Sequence, residues 1–372
     1  MAPVTRVRLV VGLGWLLVLA LSLPACSNAG QGESGAMGPG WDDDNGVGAA
    51  GTGALAKDAL GGDGDGSGGG VSGVVMPPEE AIPFIAVDGG FYHTCAVRQF
   101  GGMVVCWGAD DLGAATPPQG VALSSLSSAG LLNCGVETAT GRAHCWGDDT
   151  GATTSPPGDF FTSVAVGNTH ACAIRGDDST VDCWGMGFRG QGDAPAGVAF
   201  SSLSAGRFHT CGIRLADRQV RCWGPTAPGY NHGQSDPPQG VAFSMISTVG
   251  DTGTAHTCGI READANVECW GRNHRGQLDA PAGVAFSHVT TGTVHTCGVR
   301  AADKQVQCWG AGGPDDLFDG SNHFGQSAPP IDVEFVSVGA GSRHTCGVQA
   351  SGGLVQCWGE AAWGKTNSPD GT

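Results

Sequence analysis

The sequence predicts an all-β fold of seven consecutive repeats, and three features of the chain lead to this prediction. Segments of the form His-Thr-Cys and Cys-Trp-Gly alternate, first at residues 93–95 and 106–108. Successive repeats begin 39, 38, 39, 47, 39 and 49 residues apart. Glycine, with 66 of 372 residues, suits a protein with many turns. A period near 40 residues of strand-like segments is typical of propeller blades or of a related repeat array.

The repeats lie between Ile82 and Thr372, and each has the same succession of short segments. An apolar strand, such as residues 198–203, is followed by the His-Thr-Cys strand, a turn and a Val-x-Cys-Trp-Gly strand. A Gly-Gln segment with proline, such as residues 190–195, closes the repeat. Seven complete units fit into this part of the chain.

The two cysteines of each repeat are always eleven positions apart. In a hairpin whose turn is centred between Phe100 and Gly101, Cys95 lies opposite Cys106, about 4.5 to 5.5 Å away at Cα, where a disulfide can form. The rival interpretation is a zinc site, but zinc sites usually use Cys pairs two to four residues apart. We therefore predict no metal or cofactor, and one disulfide per repeat. The predicted pairs are Cys95 with Cys106, Cys134 with Cys145, Cys172 with Cys183, Cys211 with Cys222, Cys258 with Cys269, Cys297 with Cys308, and Cys346 with Cys357.

Strand alternation assigns a role to the residues around each cysteine. Val97 and Val104 share a face with the cysteines, so this apolar face is expected between blades. The opposite face carries Trp107 beside the small Ala96, an arrangement repeated in the other units with glycine or alanine. We expect the small residue to leave room for the indole ring to lie across it.

The first 81 residues differ from the repeats. Residues 1–25 have Arg6 and Arg8, then a short apolar run, which is the layout of a secretory signal peptide. The sequence before Cys26 resembles a bacterial lipobox, so Cys26 is predicted to be lipidated; the alternative is a plain signal peptide with a chance cysteine. Residues 26–81 contain nine acidic residues and are rich in glycine, which predicts a disordered linker. Together these features predict an exported bacterial lipoprotein at the outer membrane or cell surface.

The formal net charge is -17, and no basic stripe is present. Binding of nucleic acid through phosphate neutralisation is therefore not expected. Fifteen cysteines behind an export signal indicate disulfides and an oxidising compartment. We expect a monomer whose contact with the membrane is the lipid anchor only.

The pattern Gly-x-x-His-Thr-Cys-Gly-Val, Val-x-Cys-Trp-Gly and Asn-x-x-Gly-Gln resembles the repeat of the regulator of chromosome condensation family, in its bacterial cysteine-bearing form. Residues 273–277 and 322–326 match its closing segment. The resemblance covers residues 82–372 and implies a seven-bladed β-propeller with four strands in each blade, in which the His, Trp and Gly positions belong to the scaffold. The second repeat departs from the pattern, with Ala129, Leu132 and Asn133 in place of glycine, histidine and threonine. No functional residue of the family can be matched here.

Functional residues of a repeat array are expected where the copies differ. Insertions occur at residues 225–232, 249–252 and 310–321, and loops on a rigid scaffold commonly bind partners. The largest insertion is the candidate binding loop; it carries Asp315, Asp316, Leu317, Phe318 and Asp319. The chain is thus predicted to be an envelope-displayed, non-enzymatic module that binds a protein or glycan. The alternatives are a glycan-acting enzyme that uses loop carboxylates such as Asp315 or Asp319, a purely structural envelope protein, and neutral surface insertions.

Overall fold

Twenty-one strands form seven antiparallel sheets of three strands each in the computed structural model. The model describes residues 82–149, 151–156, 160–225, 230–250, 253–313 and 323–369. The predicted signal peptide, Cys26 and the predicted linker lie outside the described residues. The strands are, for blade 1, β1 (Phe84–Gly89), β2 (His93–Arg98) and β3 (Val104–Gly108); for blade 2, β4 (Leu123–Ala129), β5 (Leu132–Glu137) and β6 (Ala143–Gly147); for blade 3, β7 (Phe161–Val166), β8 (His170–Arg175) and β9 (Val181–Gly185); for blade 4, β10 (Phe200–Ala205), β11 (Thr210–Arg214) and β12 (Val220–Trp223); for blade 5, β13 (Phe243–Val249), β14 (His256–Arg261) and β15 (Val267–Gly271); for blade 6, β16 (Phe286–Thr291), β17 (His295–Arg300) and β18 (Val306–Gly310); and for blade 7, β19 (Phe335–Ala340), β20 (His344–Gln349) and β21 (Val355–Gly359).

The second and third strands of every blade form the predicted hairpin. Cys95 lies directly opposite Cys106, and the corresponding register recurs in the other blades. All seven predicted disulfides are present, with Cα–Cα separations of 4.0 to 4.1 Å, slightly shorter than the 4.5 Å expected for opposed residues. The bonds join Cys95 with Cys106, Cys134 with Cys145, Cys172 with Cys183, Cys211 with Cys222, Cys258 with Cys269, Cys297 with Cys308, and Cys346 with Cys357.

The two cysteines of each bond differ in burial. The cysteine on the second strand is fully buried in every blade, whereas its partner on the third strand is only partly buried and packs against the same apolar cluster. The partly buried partners are Cys106, Cys145, Cys183, Cys222, Cys269, Cys308 and Cys357. Each disulfide therefore contributes to the packing between blades as well as to its own hairpin.

Seven apolar clusters hold the blades together, one at each boundary. At the first boundary, Cys95 and Val97 of blade 1 pack against Leu123 and Trp146 of blade 2. The cysteine face therefore lies between blades, as predicted. The same arrangement joins Cys346 of blade 7 to blade 1, so the ring of blades is closed.

The role predicted for the small residue on the second strand was wrong in one respect. The ring that needs the space is the phenylalanine that begins the first strand, not the indole. A Cβ added to Gly212 would lie 2.4 Å from Cδ1 of Phe200. The indole of Trp223 lies beside that phenylalanine, with ring centres 5.6 Å apart.

Blades of four strands, which the family resemblance implied, are not observed in the described residues, where each sheet has three. The segment expected to supply the fourth strand contains prolines, as at residues 117–118 and 237–238. Proline cannot donate a ladder hydrogen bond, so this segment forms turns and an irregular path. Individual backbone hydrogen bonds outside the sheets also join adjacent blades, such as Phe243 N to Arg218 O at 2.9 Å. Phe84 N donates to Gly353 O at 2.8 Å in the same way and helps to close the ring.

Candidate functional site

The two ends of the propeller differ in which connections they carry. We call one end the hairpin face; it holds the five-residue turns between second and third strands, such as residues 99–103. The other end, the loop face, holds the turns between first and second strands and the segments that follow each third strand. The three insertions noted in the sequence all follow a first or third strand. Their connections therefore all open on the loop face.

The hairpin face is lined with ion pairs between residues of this chain. Arg175 contacts Asp182 at 2.9 Å, and Arg218 of blade 4 reaches Glu262 of blade 5 at 2.7 Å. Arg261 and Arg300 pair with the aspartates three residues further along the chain. These arginines already hold carboxylates, so their charge is locally neutralised.

The histidine of the repeated motif, which has the chemistry of a functional group, is part of the contact between blades. In His170, Nε2 lies 2.8 Å from Thr210 Oγ1 of the next blade, and Thr210 donates its hydroxyl hydrogen to Gln191 O at 3.0 Å. Because threonine has one hydroxyl hydrogen, we infer that the histidine carries its proton on Nε2. Its Nδ1 has no partner among the described residues. The histidine is thus a neutral donor rather than a site.

Burial explains the charge state of these histidines. Desolvation lowers the pKa of His170 and of His256 to about 4, and that of His209 and of His295 to about 3. A buried imidazolium without a counter-ion is unfavourable. The rings pack on glycine: a Cβ on Gly167 would lie 2.3 Å from Cε1 of His170.

The departures of blade 2 from the repeat are matched in blade 3. Leu132 replaces the histidine, and the residue it would bind, a threonine in most blades, is Ala171. Both are fully buried in one apolar cluster. Ala129 stands where glycine would make room for the imidazole. Asn133 replaces threonine, and its Oδ1 lies 2.7 Å from Nε2 of His93 in blade 1. With Leu132 and Ala171 in contact, neither the imidazole nor the hydroxyl of the repeat is buried without the other between blades 2 and 3.

A buried glutamine shapes the loop after the third strand in blades 3 to 6. Gln191 accepts a hydrogen bond from Arg189 N at 2.9 Å and donates to Met186 O at 2.9 Å. Blade 7 has the buried Lys365 at this position, paired with Glu360, and its carbonyl accepts from Thr94 and Trp107 of blade 1. The glutamine fixes the backbone of the residue two positions earlier on the loop face in blades 3 to 6. In the described blades the residue at that position is Leu112, Arg189, His232, Arg275, Phe324 or Trp363.

Cations on the loop face lie against aromatic rings. The guanidinium carbon of Arg189 is 3.5 Å from the ring centre of Tyr230 and 4.9 Å from that of Phe208. Arg207 also lies 4.9 Å from the ring centre of Phe208. In blade 7, Arg343 is 5.1 Å from the ring centre of Phe324. Sequence patterns did not single out the contacts of Arg189 and Arg343, because their ring partners come from other blades.

Large apolar side chains are also exposed on the loop face. Phe188 is 88% exposed and Trp363 is 58% exposed, and the Trp363 ring lies 4.6 Å from that of Tyr92. The predicted binding loop residues Asp315, Asp316, Leu317, Phe318 and Asp319 lie outside the described residues. The described ends of that loop, Gly313 and His323, belong to the loop face.

Among the described residues, no three or more His, Cys, Asp or Glu side chains are grouped as metal ligands. No helix in that part of the chain is long and apolar enough to cross a membrane.

Comparison with known proteins agrees with this architecture. The model of the family described as regulator of chromosome condensation (RCC1) repeat matches residues 161–191, from the start of β7 to Gln191. The ectodomain of the receptor kinase CR4 from Physcomitrella patens is 25% identical, with a TM-score of 0.62, over 75% of this chain and 74% of that chain. The CRINKLY WD40 ectodomain of the Arabidopsis thaliana receptor kinase ACR4 is 24% identical, with a TM-score of 0.60, over 76% of this chain and 97% of that chain.

A third similar structure is Prp20p from Saccharomyces cerevisiae, which was characterised together with its binding to Gsp1p and histones. It is 17% identical, with a TM-score of 0.56, over 72% of this chain and 83% of that chain. The chain therefore has a β-propeller fold and is similar to the RCC1 repeat at residues 161–191.

Proposed function

We propose that the protein is a non-catalytic binding module that presents the loop face of its propeller to a protein partner. One observation carries this proposal: the copies differ most on the loop face, where the described ends of the three insertions and the exposed Phe188 and Trp363 lie. Exposed aromatic side chains and arginine are enriched where proteins bind each other. The CR4 ectodomain, a receptor segment of similar fold, is consistent with such a role.

The proposed location is outside the cytoplasm, with a lipid anchor at Cys26 in the cell envelope. Seven disulfides support an oxidising compartment. The sequence before Cys26 supports the anchor, and the glycine-rich segment after it supports display of the propeller away from the membrane. Mass spectrometry of the mature N-terminus tests the anchor: diacylglyceryl-modified Cys26 is expected, and an unmodified cysteine or a different first residue would contradict it.

The binding role is tested by affinity capture from envelope extract with the full mature chain. The loop-face double variant Phe188→Ala/Trp363→Ala should capture less of the partner than wild type. The matched control is Leu215→Ala/Ile331→Ala, which removes two similarly exposed side chains, 53% and 85% exposed, near the hairpin face. Equal capture by wild type and both variants would contradict the proposal.

The predicted binding loop receives a separate capture test. Deletion of residues 315–321 should leave unfolding unchanged and weaken capture of the protein. A captured glycan in place of a protein would favour the other partner class predicted from the sequence.

A further inference from the structure

We infer that blades 3 and 4 carry a preformed carboxylate-binding site centred on Arg189, and that it recognises an acidic protein segment with apolar side chains. The inference rests on the proposed function, because it names the chemistry of the partner at the loop face. Four observations carry it: the clamped guanidinium, its rigid loop, its lack of an ion pair and the exposed side chains beside it.

The guanidinium of Arg189 contacts two aromatic rings, and each ring belongs to a different connection from the loop of Arg189. Its own loop follows β9, Phe208 belongs to the turn between β10 and β11, and Tyr230 belongs to the insertion after β12. The rings of Phe208 and Tyr230 meet edge to face, with centres 6.1 Å apart. Tyr230 occurs in an insertion, so this clamp is specific to this position in the ring of blades.

The backbone of Arg189 is also fixed before any partner binds. Gln191 is 2% exposed and accepts the hydrogen bond from Arg189 N. Gly190 N donates to Gly187 O at 3.0 Å and closes the turn beneath the side chain. A side chain that is already ordered loses less conformational entropy when it binds.

The guanidinium carbon of Arg189 lies over the face of the Tyr230 ring, 3.5 Å from its centre. The N–H donors of the group match the two oxygens of a carboxylate. Arg189 forms no ion pair with any described residue, whereas Arg175, Arg261 and Arg300 on the hairpin face do. The missing carboxylate is therefore expected from a partner.

The surroundings favour a protein segment rather than a small anion. Phe188 is 88% exposed and Met186 is 38% exposed, and both lie in the same loop as Arg189. Apolar side chains on either side of an acidic residue would cover them. The chain itself has a formal net charge of -17, so a polyanion such as nucleic acid would be repelled, while a short acidic segment presents few charges.

The test is fluorescence anisotropy with the full mature chain and a labelled peptide containing Glu-Leu-Glu-Phe between glycine and serine residues. At about 0.15 M salt the Debye length is about 8 Å, so distant acidic residues are screened. Wild type should bind this peptide about tenfold more tightly than its glutamine counterpart, a difference of about 1.4 kcal/mol, because a bidentate charged pair is stronger than a neutral hydrogen bond. Arg189→Gln should remove this preference for the glutamate peptide, and Arg189→Lys should retain only part of it.

Two further variants test whether peptide binding depends on the Arg189 site or only on the overall charge of the protein. Tyr230→Ala keeps every charge but releases Arg189, and should weaken binding of the glutamate peptide. Arg218→Gln on the hairpin face removes the same charge as Arg189→Gln and should leave binding unchanged. Equal affinity for the glutamate and glutamine peptides, or equal loss in both arginine variants, would overturn the inference. Tighter binding of a phosphoserine peptide than of the glutamate peptide would also overturn it.

The acidic N-terminal segment of this chain is the competing occupant. Changing Asp42, Asp43, Asp44, Asp58, Asp63 and Asp65 to asparagine in the full chain tests it; tighter peptide binding would overturn the assignment to a separate partner. The proposed function can be judged separately. If Arg189→Gln reduces capture of the partner from envelope extract while no acidic peptide binds, the loop face binds a partner but the inferred carboxylate recognition is wrong. If neither capture nor peptide binding changes, both are wrong.

Discussion

The boundaries between blades and the loop face change in different ways from copy to copy. At the boundaries, histidine, threonine and a backbone carbonyl recur as a set, and where one changes its partners change too, as with Leu132 and Ala171. On the loop face, the position of Arg189 changes from blade to blade among leucine, arginine, histidine, phenylalanine and tryptophan. Groups shared by two blades are constrained by burial, whereas solvent-facing side chains can differ independently. The loop face is therefore where a partner can be selected.

The largest expected change in stability comes from comparing a phenylalanine at a blade boundary with one on the loop face. Phe243 is fully buried at the boundary between blades 4 and 5, and Phe243→Ala should lower the free energy of unfolding by about 3 to 5 kcal/mol. Phe188→Ala on the loop face should change it by less than about 0.5 kcal/mol. Urea unfolding followed by tryptophan fluorescence measures both. Similar losses in the two variants would mean that the loop face also supports the fold.

The coupled changes in blade 2 give the next effect. Leu132→His alone should cost about 2 kcal/mol, because the ring meets the Cβ of Ala129 and finds no hydroxyl at Ala171. Adding Ala129→Gly and Ala171→Thr supplies the space and the acceptor, and should recover most of this loss. Urea midpoints of the single, double and triple variants measure the coupling. Strictly additive effects would show that the three positions change independently, as loop-face positions do.

Much of the scaffold could be predicted from residue spacing, while the sites on it could not. The constant eleven-residue interval fixes the register of Cys95 and Cys106, so the hairpins and disulfides follow from strand geometry. The family resemblance suggested a fourth strand, but prolines such as Pro117 and Pro118 prevent its ladder. The Arg189–Tyr230 contact depends on how two blades approach each other, and no local pattern encodes that distance.

Histidine burial predicts an acid-sensitive fold. The pKa of His170 is lowered to about 4 by desolvation, from an unfolded value of 6.5. The unfolded chain therefore takes up a proton first, and the stability this residue contributes above pH 6.5 is lost as the pH falls towards 4. Between pH 7 and pH 5 this amounts to about 2 kcal/mol for one such histidine. The difference in the free energy of unfolding between wild type and His170→Leu should fall by that amount from pH 7 to pH 5. A difference that does not change with pH would contradict the prediction.

Asp88 gives the smallest effect and the opposite pH dependence. It stands on β1 where blades 2, 4 and 5 have a serine, and its carboxylate accepts hydrogen bonds from Ser128 N and Gly89 N at 2.8 and 2.9 Å. Desolvation nevertheless raises its pKa from 3.8 to about 7, so the stability it contributes is present below pH 3.8 and is lost as the pH rises towards 7. Ser127 and Ser204 accept the equivalent N–H of the next blade without a charge. Asp88→Ser should therefore be more stable than wild type above pH 7, by about 1 kcal/mol because Asp88 keeps part of its surface exposed. The advantage should disappear near pH 4 in thermal unfolding, and a variant less stable at every pH would show that the boundary needs the carboxylate itself.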